Sequence, residues 1–527
     1  MPKFAAKVQT TFRAKSSRVF LVLFVLFGCQ ATAWSLGTPL LSGSDEPAHI
    51  MTAAADARGE FIKKRVGGTN SPLAIVHIPS TFALTENESF CYSLPSQPAS
   101  CRLSKSSCYH QLATHNDAIC GLALSGTDAA SAPGTYTGNY PPLYYTAVGL
   151  PTLVSSHPGV MYSMRLISTF MGVFFVALCF FCVYKWSANP LLLGGISLSL
   201  TPLVIYLIGT VNPSGLEVTS ALCLWVSGMI IVREKFIRVP GALLGIAFLS
   251  ATVLALSRPD GPVWSVLTVA VLMFVAERRL YSGLLKNKLL IRMGGLWVAG
   301  LILAAWWIVA EKASLVLPGQ TYAPGTSLFY ITKSVLGTTH IFTDAMIGLL
   351  GWNNAPVPFI SIFLWYIGIG SLLVLAFAAY RKRNIRTLLG LLMMMGAVTL
   401  IPVAYTYIYA QRYGDILQGR YMLPGAVGIA IIAATLAKET IMKPASLAKT
   451  LIALTALGNV FAYVWILRQY MVGLSFFNIF KNVPGGWTPP IPAILLIIIF
   501  VLINLFIVTY LWRISDEVSS KQNVAGV

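Results

Sequence analysis

The sequence predicts an all-α polytopic membrane protein, and three observations predict it. Of the 527 residues, 56% are hydrophobic and only 10% are charged, a balance outside the range of soluble domains. Apolar runs of bilayer-spanning length recur at about 19–36, 159–183, 190–210, 214–232, 240–257, 262–276, 293–311, 357–380, 387–409, 421–437, 450–468 and 490–512. Lys and Arg gather at alternate ends of these runs. With the N-terminus inside, the cytoplasmic ends hold 23 of the 37 basic residues and 5 of the 18 acids, so both termini are expected in the cytoplasm. The net charge of +19 is then a topology signal, and no nucleic-acid partner is read from it.

This pattern divides the chain into a cytoplasmic N-terminus and first span (1–36), an extracytoplasmic loop (37–158), spans two to seven (159–311), a second outer loop (312–356), spans eight to twelve (357–512) and a cytoplasmic tail (513–527). The first span has the basic start and apolar stretch of a signal peptide. It reads instead as an uncleaved anchor, because its loss would detach the segment that follows.

That segment, Ser42-Gly43-Ser44-Asp45-Glu46-Pro47-Ala48-His49, is the most distinctive in the chain. Ser44 is expected to cap a helix from Asp45 to Arg58, with Pro47 in its first turn and Gly59 as its stop. Asp45, His49, Thr52 and Asp56 then share one face. The adjacent carboxylates are either favourable charges at a helix N-terminus or members of a site. Lys63-Lys64-Arg65 follows and is read as a solvated patch at headgroup level. The polar insertion from Gly67 to Gly138 contains Cys91, Cys101, Cys108 and Cys120, which in an oxidising compartment are expected to form two disulfides, with three pairings open.

Charges are rare in the spans, and each needs a reason. Arg165, early in the second span, either snorkels to the interface or meets a polar partner. Glu217 follows the outer hairpin Asn212-Pro213-Ser214-Gly215 and needs a partner or a wet cavity. Arg258 and Asp260 share a turn and are expected to pair. The second outer loop, ending in Gly351-Trp352-Asn353-Asn354, reads as an interfacial amphipathic segment. Arg412 and Arg420, close to Tyr413 and Tyr421, suit a phosphate beside an apolar or sugar surface, or else an interfacial anchor belt.

Four motifs in order, Ser44-Asp45-Glu46-Pro47-Ala48-His49, Tyr140-Pro141-Pro142-Leu143-Tyr144-Tyr145, Gly351-Trp352-Asn353 with Pro358, and Gln418-Gly419-Arg420-Tyr421, resemble an uncharacterised bacterial membrane-protein family assigned to the GT-C glycosyltransferase superfamily, distantly similar to protein mannosyltransferases. Asn353-Asn354 departs from the acidic residue expected there. The resemblance implies a GT-C-like bundle of about 12 transmembrane helices whose outer loops carry interfacial helices, in a bacterial plasma membrane. It implies an inverting transfer of a sugar from a polyprenyl-phosphate donor to a cell-envelope glycan or other extracytoplasmic acceptor. Asp45 would be the base, with Glu46 orienting the acceptor or joining Asp45 on a divalent cation, and His49 a hydrogen-bonding orienter. Arg258, Arg412, Arg420 and Arg165 would bind donor phosphate. Tyr144, Glu217, Asp260, Trp352 and Tyr421 would line the cavity. A lipid-linked glycan transporter or flippase, or a non-catalytic assembly scaffold, are the competing readings. The absence of ionisable residues at span centres favours an enzyme over an ion-coupled carrier.

Overall fold

A computed structural model describes residues 2–66, 68, 71–83, 128–234, 236, 238–277, 287–315, 321–337, 339–381, 384–414, 416–473 and 487–525. Cys91, Cys101, Cys108 and Cys120 lie outside the described residues. The chain opens with α1 (Pro2–Leu36) and the short α2 (Glu46–Asp56). Two antiparallel pairs of two-residue strands follow, β1 (Ala74–Ile75) with β4 (Gly134–Thr135) and β2 (Ile78–Pro79) with β3 (Ala130–Ser131). Next come α3 (Pro142–Gly149), α4 (Val160–Trp186), α5 (Leu191–Ser199), α6 (Pro202–Ile208), α7 (Pro213–Arg233), α8 (Gly241–Ser257), α9 (Gly261–Val275) and α10 (Lys288–Ala310). The second loop holds α11 (Leu328–Gly337), α12 (Thr339–Gly348) and the hairpin β5 (Leu349–Leu350) to β6 (Ala355–Pro356). The chain then continues through α13 (Phe359–Ala378), α14 (Ile385–Ile408), α15 (Gly419–Ala437), α16 (Pro444–Val472) and α17 (Ala493–Ala525).

Among the described residues, nine helices are long and apolar enough to cross a membrane: α1 from Lys15, α4, α7, α10 and α13 to α17. The run at 190–210 is bent, with α5 and α6 meeting at 67°. Pro202 disfavours helical backbone in the residue before it, and Thr201 Oγ1 accepts from Val204 N at 3.3 Å to start the second piece. α8 and α9 fall on predicted runs but have only 17 and 15 residues.

The centre of the bundle is α7 and α15. The apolar window of α7 is 94% buried, against 11% for the peripheral α10. α15 lies against α7 through glycines: a Cβ at Gly428 would come within 2.4 Å of the Trp225 ring, and one at Gly425 equally close to Trp264 on α9. Small residues at these points let the backbones approach without loss of packing. Both central helices begin at the same end of the bundle, which places Glu217 and Arg420 there together.

α2 differs from expectation at its start. Asp45 occupies the position before the helix with left-handed backbone (φ 56°), and neither it nor Ser44 caps the helix through its side chain. The stop is as read: Gly59 has φ 82°, with Gly59 N donating to Asp56 O (3.0 Å) and Glu60 N to Ala55 O (3.1 Å), a Schellman closure. The basic patch after it is a correction. Lys63 is buried and donates to Asp56 Oδ1 at 2.5 Å, and Arg65 donates to Ser71 O and Glu311 O.

Candidate functional site

The irregular stretch between α1 and α2 has backbone groups that helices cannot satisfy, so side chains do it. Glu46 Oε2 accepts from Leu41 N (3.1 Å) and Gly43 N (3.3 Å), and its Oε1 from Val211 N (3.0 Å). Arg165 holds both oxygens, Nε at 2.7 Å and Nη2 at 2.6 Å. Its remaining donors go to the carbonyls of Ser35, Thr38 and Pro39, each at 2.8 Å. Both side chains are fully buried. All five guanidinium hydrogens and both carboxylate oxygens are therefore occupied. This corrects two sequence-based roles: Arg165 neither snorkels nor has a donor left for a phosphate, and Glu46 has no oxygen left for an acceptor or a cation. The pair is the knot that ties the loop to α4.

The same stretch is pinned from three other directions. Tyr206 donates to Ser42 O (3.1 Å), Asn212 Nδ2 to Ser44 O (2.6 Å), and Ser44 Oγ to Gly351 O (2.5 Å). Gly351 and Asn353 take left-handed backbone in the four-residue turn of the β5–β6 hairpin, and Asn354 Oδ1 closes that turn on Trp352 N. Asn353-Asn354 is thus a turn element, and Trp352 belongs to the hairpin that braces α2.

Held this way, the Asp45 carboxylate points away from Glu46. Its Oδ1 accepts from Tyr136 OH at 2.8 Å and its Oδ2 from Arg420 Nη2. Burial would push the Asp45 carboxyl up, but Arg420, His49 and the Tyr136 hydroxyl together hold it below its ordinary value. His49 is buried, one turn along α2, with Nδ1 2.9 Å from Tyr145 OH. Burial drives its pKa down to about 3, Arg258 and Arg420 push the same way, and Asp45 opposes them. Burial therefore disfavours the charged imidazole, and the neutral ring is held by Tyr145. Tyr144 points elsewhere, donating to Ser168 Oγ at 2.9 Å in a buried structural contact.

Arg420 meets Arg258 across one ring. The guanidinium carbons lie 5.1 Å and 4.7 Å from the centroid of Tyr421. Arg258 is held by Ser214 Oγ (2.5 Å), Asp260 (3.3 Å) and, more loosely, Glu217 (3.6 Å). The turn pairing of Arg258 with Asp260 is present, and Asp260 keeps 34% side-chain exposure. Several buried polar atoms here have no hydrogen-bond partner: Arg420 Nε and Nη1, Arg258 Nε, and both carboxylate oxygens of Glu217. Groups this buried are normally satisfied in native structures. α2, α7, α9 and α15 all start at this cluster, so their dipoles add to the positive potential of the two arginines. The arrangement is suited to an anion. Arg412 does not join it: it is exposed and stacks on Tyr413 at 5.0 Å.

Sequence reasoning missed Tyr136 altogether and gave no site role to Tyr145 and Ser214, although both stand in motifs it singled out. Tyr136 stands four residues before Tyr140 in a Gly- and Thr-rich turn, a spacing with no signal of its own. Among the described residues, no group of three His, Cys, Asp or Glu side chains could hold a metal ion, and Asp45 and Glu46 are committed to different arginines.

Fold and site together define a polytopic helical membrane protein with a buried cluster of ionic side chains at one end of the bundle. The chain belongs to the family described as "Predicted membrane protein (DUF2142)", whose family model matches residues 29–429. No curated protein and no solved structure matches it.

Proposed function

We infer that this protein is a membrane glycosyltransferase that moves a sugar from a polyprenyl-phosphate donor to an extracytoplasmic acceptor. The observation that carries this reading is the Asp45–Arg420 pair, in which a half-buried carboxylate leans on an arginine with two unpartnered nitrogens. The four-motif resemblance to the GT-C superfamily supports the same class. So does the clustering of polar chemistry at one end of the bundle.

In this mechanism Arg420 and Arg258 take the donor phosphate, with Tyr421 as the apolar surface between them. Arginine suits phosphate because its planar donors are fixed in direction. Once Arg420 shares its charge with phosphate, it stabilises the Asp45 anion less, and the carboxylate becomes a better base. The acceptor hydroxyl then gives its proton to Asp45 as its oxygen bonds the anomeric carbon. The bond from that carbon to the phosphate oxygen breaks, and the phosphate leaves with the electron pair, inverting the centre. Tyr136 and His49 hold Asp45 and its surroundings in place.

The reading includes about twelve crossings, counting the bent pair and the two shorter helices α8 and α9. It puts the site on the outer side of a bacterial plasma membrane, both termini in the cytoplasm, and disulfides in the cysteine-bearing insertion. The purified chain, assayed with polyprenyl-phosphate sugars, should transfer sugar in wild-type form. Wild-type protein that binds no lipid phosphate at all removes the reading.

A further inference from the structure

Glu217 is the fully buried carboxylate of the cluster, and its ion pair to Arg258 is loose. It is 0% exposed, in the second turn of the most enclosed helix of the bundle, and neither carboxylate oxygen receives a hydrogen bond. Its nearest cation, Arg258 Nη1 at 3.6 Å, is beyond hydrogen-bond length and donates to Ser214 Oγ at 2.5 Å. A carboxylate buried this way is costly unless donors reach it. No donor among the described residues hydrogen-bonds to it, although Arg420 Nε and Nη1 have no hydrogen-bond partner and Arg258 Nε meets Asp260 only as a 3.3 Å ion pair. Donors and acceptors left open side by side define complementary chemistry in what fills them. An anion answers the guanidiniums, and hydroxyl groups answer the carboxylate.

We propose that Glu217 accepts hydrogen bonds from hydroxyls of the sugar whose phosphate lies on Arg258 and Arg420, making it the residue that distinguishes a glycosyl phosphate lipid from a bare lipid phosphate. This rests on the donor-phosphate reading above and adds the sugar's place in it. Two points fix that place. Arg258 contacts both Glu217 and the Tyr421 ring, so the carboxylate is one side chain away from the phosphate position. Asp45 pairs with Arg420 whereas Glu217 pairs with Arg258, so the two carboxylates sit on different arginines, Asp45 for the acceptor and Glu217 for the donor sugar. A carboxylate selects hydroxyl-bearing ligands strongly, because a ligand without them leaves it buried and unpaired.

The test uses the full-length chain in detergent with three probes: farnesyl phosphate, farnesyl phosphoryl-glucose and farnesyl phosphoryl-mannose. Wild-type protein should bind at least one of the sugar-bearing lipids about tenfold or more tightly than farnesyl phosphate, the scale of hydrogen bonds to a charged group. Glu217→Gln should abolish that preference, with its folding checked by size-exclusion elution and melting temperature. Glu217→Asp, which retracts the carboxylate but keeps its charge, should lose most of the preference too. Equal binding of all three lipids by wild type, or an unchanged preference in Glu217→Gln, overturns the assignment and leaves Glu217 a counter-ion for Arg258. Failure of wild type to bind farnesyl phosphate or either sugar lipid overturns the donor-phosphate reading itself.

Discussion

Asp45 and Glu46 are neighbours in sequence with opposite fates, and the contrast separates scaffold from site. Glu46 and Arg165 close on each other with every donor and acceptor used, in full burial. Asp45 and Arg420, beside Arg258 and Glu217, form an ion-pair cluster of similar composition with several atoms unfilled. A saturated buried pair has nothing to offer a ligand and is costly to break. An unsaturated one is poised for something not yet there. The opposite end of the bundle supplies a third case. Lys449–Asp516 (2.7 Å) and Arg513–Glu517 (3.2 Å) are exposed pairs, of a kind that contributes about 0–1 kcal/mol.

The largest effect should come from the saturated pair. Arg165→Met leaves Glu46 buried without a counter-ion and frees three carbonyls. It should destabilise the protein by about 3–5 kcal/mol, enough to lose the monodisperse folded species in size-exclusion chromatography. A variant that elutes and melts like wild type would erase the distinction between knot and site. Arg420→Ala should do the reverse, folding normally but losing donor turnover. Arg420→Lys should retain about a tenth to a hundredth of it, since a point charge replaces a planar fork. Full turnover by Arg420→Lys would show that directional donors are not needed there.

Asp45→Asn should lower turnover about 100-fold or more while lipid-phosphate binding persists, because Arg420 is released rather than removed. Donor binding lost together with turnover would make Asp45 a support for Arg420 instead of a base. The smallest effect concerns Asp56, whose carboxyl burial pushes up to about 7 against the pull of Lys63. A folded value raised above the ordinary one means that folding takes up a proton. The stabilisation is complete below about pH 4 and is lost as pH rises through about 7. Melting temperature should therefore fall between pH 5 and pH 8 in wild type, and Asp56→Asn should flatten that slope. An equal slope in both proteins would assign it to another group.

The helices were legible because burial in lipid leaves a strong signal: each predicted apolar run falls on a helix or, at 190–210, on a bent pair. The bend at Thr201-Pro202 was not read from the run, although a proline there disfavours helical backbone in the residue before it. The acidic pair and the Arg420 motif were legible as candidates for the same reason, as charges where charge is expensive. Which carboxylate took which arginine was not. That choice depends on the left-handed backbone at Asp45 and on partners 119 and 375 residues away along the chain. Arg412 misled because proximity in sequence to Arg420 is not proximity of side chains: a helix start at Gly419 turns one inward and leaves the other exposed. Lys63 misled because a run of three basic residues resembles a wetted face, whereas one of them fills the end of the Asp56 stripe.

The most direct test compares the glycans and polyprenyl-phosphate sugars of cells lacking this protein with those of cells restored with wild type or with Asp45→Asn. The measurement is mass spectrometry of both pools, with expression of each form checked by blotting. Loss of one sugar from the glycan and accumulation of its lipid-phosphate form, reversed by wild type but not by the equally expressed Asp45→Asn, is the predicted result. Restoration by Asp45→Asn, or unchanged pools in the deleted strain, would contradict it.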